Sequence, residues 1–148
     1  MNRLYEKIQD SLLTLLGVIK YHTLLKKTES FNKAEIKIYQ QQKLRELLIY
    51  CSKHIPFYNR QFVQLNIDPY SQDPLAELKK LPILTKDTVR NNYNHFISGN
   101  EKNSLEFHTS GTSGDPFTIA TSTNQWIIEQ GVMWRSWKRA GYRFRDKI

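Results

Sequence analysis

A chain of 148 residues with 39% hydrophobic and 12% aromatic content can build one small core, or part of a larger one. Its formal charge is +8, but the cations are dispersed, with Lys26-Lys27 and Lys79-Lys80 among the longest clusters. No polybasic run therefore marks a specific nucleic-acid or membrane partner. A single cysteine, Cys51, excludes an internal disulfide and a cysteine-rich metal site.

Taken in chain order, residues 2–27 carry apolar residues at helical spacing, with Leu4, Ile8, Leu12, Leu15, Leu16, Ile19 and Leu24 largely on one stripe. The run from Leu12 to Ile19 is far short of the roughly 20 residues that span a bilayer. Lys20-Tyr21-His22 follow it, without the small-x-small site of a secretory signal. The reading is a packed or interfacial helix and a cytoplasmic chain, with contact at a membrane surface kept only as an alternative for this segment. Residues 28–33 read as a break. A second helix is expected over about 34–53, with Leu44, Leu47, Leu48 and Cys51 on one face and Pro56 as its stop. Phe57, Tyr58, Phe62 and Leu65 follow as docking anchors. Residues 66–74 read as a loop, 74–80 as a short helix ended by Pro82, and 86–93 as a helix capped by Thr85. Asp68, Asp73 and Asp87 fall where capping explains them, and Lys86 reads as a first-turn surface lysine. Residues 98–103 form a polar turn. Residues 104–108 and 117–121 alternate and predict a hairpin. The last helix starts at a Ser122/Gln125 capping-box pair, carries Trp126, Met133, Trp134 and Trp137 as a core stripe, and ends at Gly141 as C′ residue. No linker divides the chain into two domains. The fold class is α/β, mostly helical with a small β-hairpin.

The tip of the predicted hairpin is Thr109-Ser110-Gly111-Thr112-Ser113-Gly114-Asp115-Pro116. Its four hydroxyls can each donate a hydrogen bond, and its two glycines allow close backbone approach. Such a loop can wrap its donors around a polyphosphate. Taken alone, the run could also be a Ser/Thr/Gly linker or a plain turn, the lesser of the two readings. It is not a Walker A loop, which requires Gly-Lys-Ser/Thr, nor a dinucleotide fingerprint. His22, His54, His95 and His108 form no metal-like cluster. Only His108, directly before the loop, has a ligand-proximal position. No proton-transfer residue is identifiable, so no catalytic and no metal residue is assigned.

His54-Ile55-Pro56-Phe57-Tyr58, Leu81-Pro82-Ile83-Leu84-Thr85-Lys86, the Thr109–Pro116 run and Trp134-Arg135-Ser136-Trp137-Lys138-Arg139-Ala140-Gly141 follow one another in a recognisable order. Together they resemble the adenylate-forming (acyl/aryl-CoA synthetase-like) superfamily, in the branch of phenylacetate–coenzyme A ligases and their capsular-polysaccharide-associated relatives. The resemblance runs from about Lys43 to Ile148, with 1–40 as a helical N-terminal extension. It implies that 1–148 is the incomplete N-terminal portion of a large adenylation domain. The parent would activate a carboxylic acid substrate with ATP and Mg²⁺ as an acyl-adenylate for transfer to coenzyme A, in a polysaccharide or capsule setting. It assigns Thr109, Ser110, Gly111, Thr112, Ser113 and Gly114 to the phosphates. Asp115 and Phe117 stand where the family often carries a cation, which leaves phosphate neutralisation to backbone dipoles, Mg²⁺ or residues elsewhere. The family's later motifs are absent from these 148 residues, so the piece alone is expected to be inactive. Two other readings stand beside this one: a basic, non-enzymatic interaction module, and a truncated gene relic.

Overall fold

The computed structural model describes residue 12 and residues 15–98, 104–108 and 117–143. Helix α1 (residues 15–20) continues into a π turn (Tyr21–Leu25) and a 3-10 turn (Lys26–Ser30). Then come α2 (Lys33–His54), α3 (Pro56–Gln64), α4 (Pro74–Leu78), α5 (Lys86–Asn91), α6 (Tyr93–Phe96), strands β1 (Ser104–His108) and β2 (Thr118–Ser122), and α7 (Thr123–Arg139). The two strands pair as an antiparallel hairpin, so the chain is mostly helical with one small sheet. It divides into two compact units, residues 32–120 and residues 1–31 with 121–148. Neither crossing is announced by a Gly-, Pro- or Ser-rich linker: one falls beside a helix cap and the other within β2.

In the unit of residues 32–120, α2 begins at Asn32, whose Oδ1 accepts the N–H of Ala34 at 2.9 Å and of Glu35 at 3.1 Å. Glu35 Oε2 accepts the Asn32 N–H at 2.7 Å, closing both halves of a capping box. Ile55, extended as the residue before a proline tends to be, separates α2 from α3. Pro56 thus ends one helix and opens another, since a proline at the first helical position sacrifices no helical hydrogen bond. The predicted stop was right, and the helix that starts there is an addition.

The end of α3 organises this unit's core. Asn66 takes φ +48°, the left-handed region that Asn tolerates better than most residues. The Ile67 N–H donates to Phe62 O at 2.9 Å and the Asn66 N–H to Val63 O at 3.4 Å, the double closure of a Schellman motif. The reversal seats Ile67 on Phe62, and with Leu48 of α2 they form the buried cluster, flanked by Leu44, Cys51, Tyr58 and Leu81. Burying each such side chain stabilises by about 1.5–3 kcal/mol. Leu47 and Leu65, expected on the packed face, are instead exposed at 55% and 37%. Leu47 lies about 100° round the helix from Leu48, and Leu65 is the capping residue of the turn.

The loop after α3 is tied down by polar groups. Glu77 Oε2, on buried Glu77, accepts the Asp68 N–H at 2.9 Å and the Lys80 ammonium at 2.7 Å, while Lys80 also donates to Asn66 O at 3.0 Å. The Lys80 ammonium first, then the Asp68 amide, holds the Glu77 carboxyl below its ordinary pKa. Arg45 reaches across from α2 to Ser71 O and Gln72 O, both at 3.2 Å. Asp73 caps α4 through Ala76 N–H at 3.1 Å, and Thr85 caps α5 through Thr88 N–H at 3.1 Å. Asp68 turns its loop by accepting Tyr70 N–H at 2.9 Å, and Asp87 pairs with Arg90 at 2.9 Å.

In the other unit α1 meets α7 with backbone against backbone. A Cβ on Gly131 would stand 2.9 Å from Gly17 O and 3.2 Å from Tyr21 N. Tyr21 is buried beside them, its hydroxyl donating to Glu29 at 3.1 Å, with the Lys138 ammonium 5.2 Å from its ring centre. The expected stripe is therefore not the contact face: Leu12, Leu15, Ile19 and Leu24 are all exposed. The predicted break also shifts, because helical turns run to Ser30. Leu4 and Ile8 lie outside the described residues. On α7, Ser122 Oγ accepts the Gln125 N–H at 3.2 Å as expected. Trp134 is buried, Trp126 and Trp137 are half-buried, and Met133 is exposed. Gly131 and Trp134 share the buried face at i, i+3 spacing, and Met133 is rotated off it. Gly141 takes φ +94°, with Tyr142 N–H on Trp137 O at 3.0 Å and Gly141 N–H on Lys138 O at 3.1 Å, a second Schellman closure.

Three outcomes follow for unfolding measurements. Asn66→Ala is expected to destabilise residues 32–120 by about 1 kcal/mol, and Asn66→Gly to be near neutral, in urea titrations followed by circular dichroism. Gly131→Ala would by helix propensity alone stabilise by about 1 kcal/mol; the Gly17 crossing reverses the sign, read as a lowered Tm in tryptophan fluorescence. Glu77→Gln should lose stability relative to the parent above the carboxyl's ordinary value of 4.5. Because folding depresses that pKa, the difference should shrink as pH falls through the folded value.

Candidate functional site

The hairpin presents the Thr109–Pro116 run between β1 and β2, as the alternation predicts. Thr109, Ser110, Gly111, Thr112, Ser113 and Gly114, with Asp115 and Pro116, lie outside the described residues. What the structure defines is the base on which the run stands. His108 closes β1, and its Nδ1 meets Thr118 Oγ1 of β2 at 3.1 Å. His108 is thus placed directly beside the run, engaged across the hairpin rather than clustered with other metal-binding side chains.

Glu106 and His108 stand two residues apart on β1 and share one face. Glu106 Oε1 accepts the Tyr93 hydroxyl of α6 at 2.9 Å. Burial, and then the Glu106 carboxylate, raises the Tyr93 phenol above its ordinary pKa, so it remains a proton donor at neutral pH. Three residues further along α6, Phe96 stacks on Phe57 of α3 with ring centres 4.1 Å apart and meets Tyr58 edge-on at 5.8 Å. A continuous path of packed rings and one hydrogen bond thus connects the hairpin to the helical core. Sequence reasoning missed Tyr93 and Glu106, which are thirteen residues apart on different elements and match no local pattern.

Two of the segments that carry the resemblance are brought together. Phe57 and Tyr58 of α3 face Leu81, Pro82, Ile83 and Leu84 across a groove of about 220 Å³, completed by Gln61 and Leu78. Burial raises the Tyr58 phenol as well. The groove is apolar, with Gln61 and the Tyr58 hydroxyl as its polar side-chain groups. Cys51, half-buried against the core with its thiol pushed up by burial, behaves as a small hydrophobe.

The donor set of the loop, four hydroxyls and a run of peptide amides, matches the chemistry of polyphosphate oxygens. Among the described residues, no group of three or more His, Cys, Asp or Glu converges on a point. Among the same residues no helix is long and apolar enough to cross a membrane.

No family model matches the chain. Curated proteins do. The chain is 29% identical over 129 residues to the phenylacetate-coenzyme A ligase of Escherichia coli K12, covering 86% of this chain and 30% of the relative. It is 26% identical over 117 residues to the enzyme of the same name from Thermus thermophilus, covering 78% of this chain and 26% of the relative. For the Pseudomonas putida enzyme the figures are 27% over 127 residues, 84% and 29%. The chain therefore spans less than a third of the length of these curated relatives. Over most of its own length it is similar to phenylacetate-coenzyme A ligases, in agreement with an adenylate-forming ligase type of sequence.

Proposed function

We propose that residues 1–148 are the front portion of an ATP-dependent acid–thiol ligase, and that Thr109 to Gly114 hold the polyphosphate of its nucleotide. One observation carries the reading: a match covering 86% of 148 residues takes in the Thr109–Gly114 run wherever it begins. The chemistry of the run supports it. A carboxylate attacking the α-phosphorus of ATP expels pyrophosphate, and charge gathers on the departing phosphate oxygens. Hydroxyl and amide donors fixed around those oxygens stabilise that charge without reorganising. The hairpin base would orient the run, with His108 beside it. Magnesium would add positive charge on the phosphates, where Asp115 and Phe117 supply none. The acyl group would then pass to the thiol of coenzyme A, in the cytoplasm where both cosubstrates are abundant.

The acid is a carboxylic acid for which phenylacetate is the first candidate, since the relatives are named for it. A role in capsular polysaccharide assembly is the narrower form of the proposal, and a sugar-derived acid would be its substrate. In either form, residues 1–148 by themselves are expected to give no turnover.

The test is acid-dependent exchange of labelled pyrophosphate into ATP by the complete gene product. Replacing both Thr112 and Ser113 by Ala should lower the exchange efficiency by roughly a hundredfold or more, since each lost hydrogen bond to a charged oxygen is worth about 1.5–3 kcal/mol. Exchange that survives the double replacement unchanged would remove the loop from the site.

A further inference from the structure

A concavity of about 320 Å³, separate from the apolar groove, is lined by Lys53 and His54 at the end of α2, Ile55 and Pro56 at the junction, and Asn59 and Arg60 on α3. Its charged lining is all of one sign. From Leu47 to Ile67 the sequence itself contains no Asp or Glu, so the elements that form the concavity bring only cations to it. The lining is also held in place. The Lys53 ammonium sits 5.8 Å from the Tyr70 ring centre. The His54 ring packs on Tyr50 with centres 4.8 Å apart, and the Tyr50 hydroxyl bonds Ser98 Oγ at 3.1 Å. Asn59 Nδ2 donates to Ser52 O at 2.7 Å, which fixes the amide. Arg60 adds a fork donor to this lining beside the point charge of Lys53, a combination suited to tetrahedral oxyanions.

We propose that this concavity binds a phosphate group of an anionic ligand. The ligase reading of the preceding subsection supplies one source, the 3′-phosphate of coenzyme A, and the choice of source rests on that reading. The phosphate chemistry itself rests only on Lys53 and Arg60. Free phosphate is the other source.

The experiment uses the complete gene product and three probes: inorganic phosphate, coenzyme A and 3′-dephospho-coenzyme A. Binding is measured by calorimetric titration, with the His54 ring resonances followed by NMR. The expected result is that Arg60→Gln and Lys53→Gln each weaken phosphate-bearing probes by about fivefold to tenfold, the scale of one charge-assisted contact. Lys79→Gln, an equal change of charge outside the concavity, should leave binding as it was, and the His54 signals should shift on titration. Coenzyme A bound more tightly than its 3′-dephospho form identifies coenzyme A as the source, whereas equal binding of the two with loss of inorganic phosphate in the variants identifies free phosphate. Absence of binding for all three probes, or binding that neither Arg60→Gln nor Lys53→Gln alters, overturns the proposal. Pyrophosphate exchange in the unsubstituted protein is scored separately, so a failed ligase reading with intact, Arg60-dependent phosphate binding leaves this inference standing.

Discussion

The left-handed turn at Asn66 is the constraint on which residues 32–120 depend. A chain leaving α3 in any other direction would carry Ile67 away from Phe62, and the Leu48–Phe62–Ile67 cluster would lose a third of its members. The turn is held from two sides. Its own amides close on Phe62 O and Val63 O, and Lys80 reaches back to Asn66 O while Glu77 takes the Asp68 amide. A buried carboxylate is a poor source of stability in itself. Here it satisfies a part-buried backbone donor and a cation together, so its role is geometric: it fixes where α4 lies against the turn that follows α3.

From that core the order is passed outward through rings. Tyr58 packs on the cluster, Phe57 beside it stacks on Phe96, and α6 meets β1 through Tyr93 and Glu106. Each link is modest. An aromatic pair contributes about 0.5–1.5 kcal/mol and a hydrogen bond about 1 kcal/mol. Their value lies in succession, because the hairpin has only two strands, and an isolated two-stranded hairpin is marginal in water.

Much of this architecture was legible. Caps at Thr85, Asp73 and Ser122, the C′ glycine at 141 and the alternation of β1 and β2 are local signals, written within four or five residues. The hydroxyl- and glycine-rich run between the strands was legible as chemistry for the same reason. Less legible was anything set by a partner distant in sequence. Periodicity placed Leu12, Leu15 and Ile19 on one stripe, yet α1 packs through Gly17 and Tyr21, because two glycines let the backbones touch and no apolar side chain can match that approach. Glycine carries no hydropathy signal, so a contact made by its lack of a side chain is invisible to a pattern search. Asn66 was read as loop, correctly in composition, but nothing beside it says that the turn would be left-handed. Tyr93 with Glu106, and the cations around the α2–α3 junction, required the fold to bring them together.

The glycine crossing also bears on how the chain matures during synthesis. Gly17 and Gly131 lie more than a hundred residues apart, with the whole of residues 32–120 between them. At about 5–20 residues per second, the ribosome delivers α7 roughly 5–20 s after α1 has emerged. Residues 32–120 carry their own core and can condense in that interval, whereas Gly17 and Tyr21 wait without the α7 face on which they pack. A contact whose first half is made early therefore closes late, and the backbone face at Gly17 stays open to other partners until α7 is delivered.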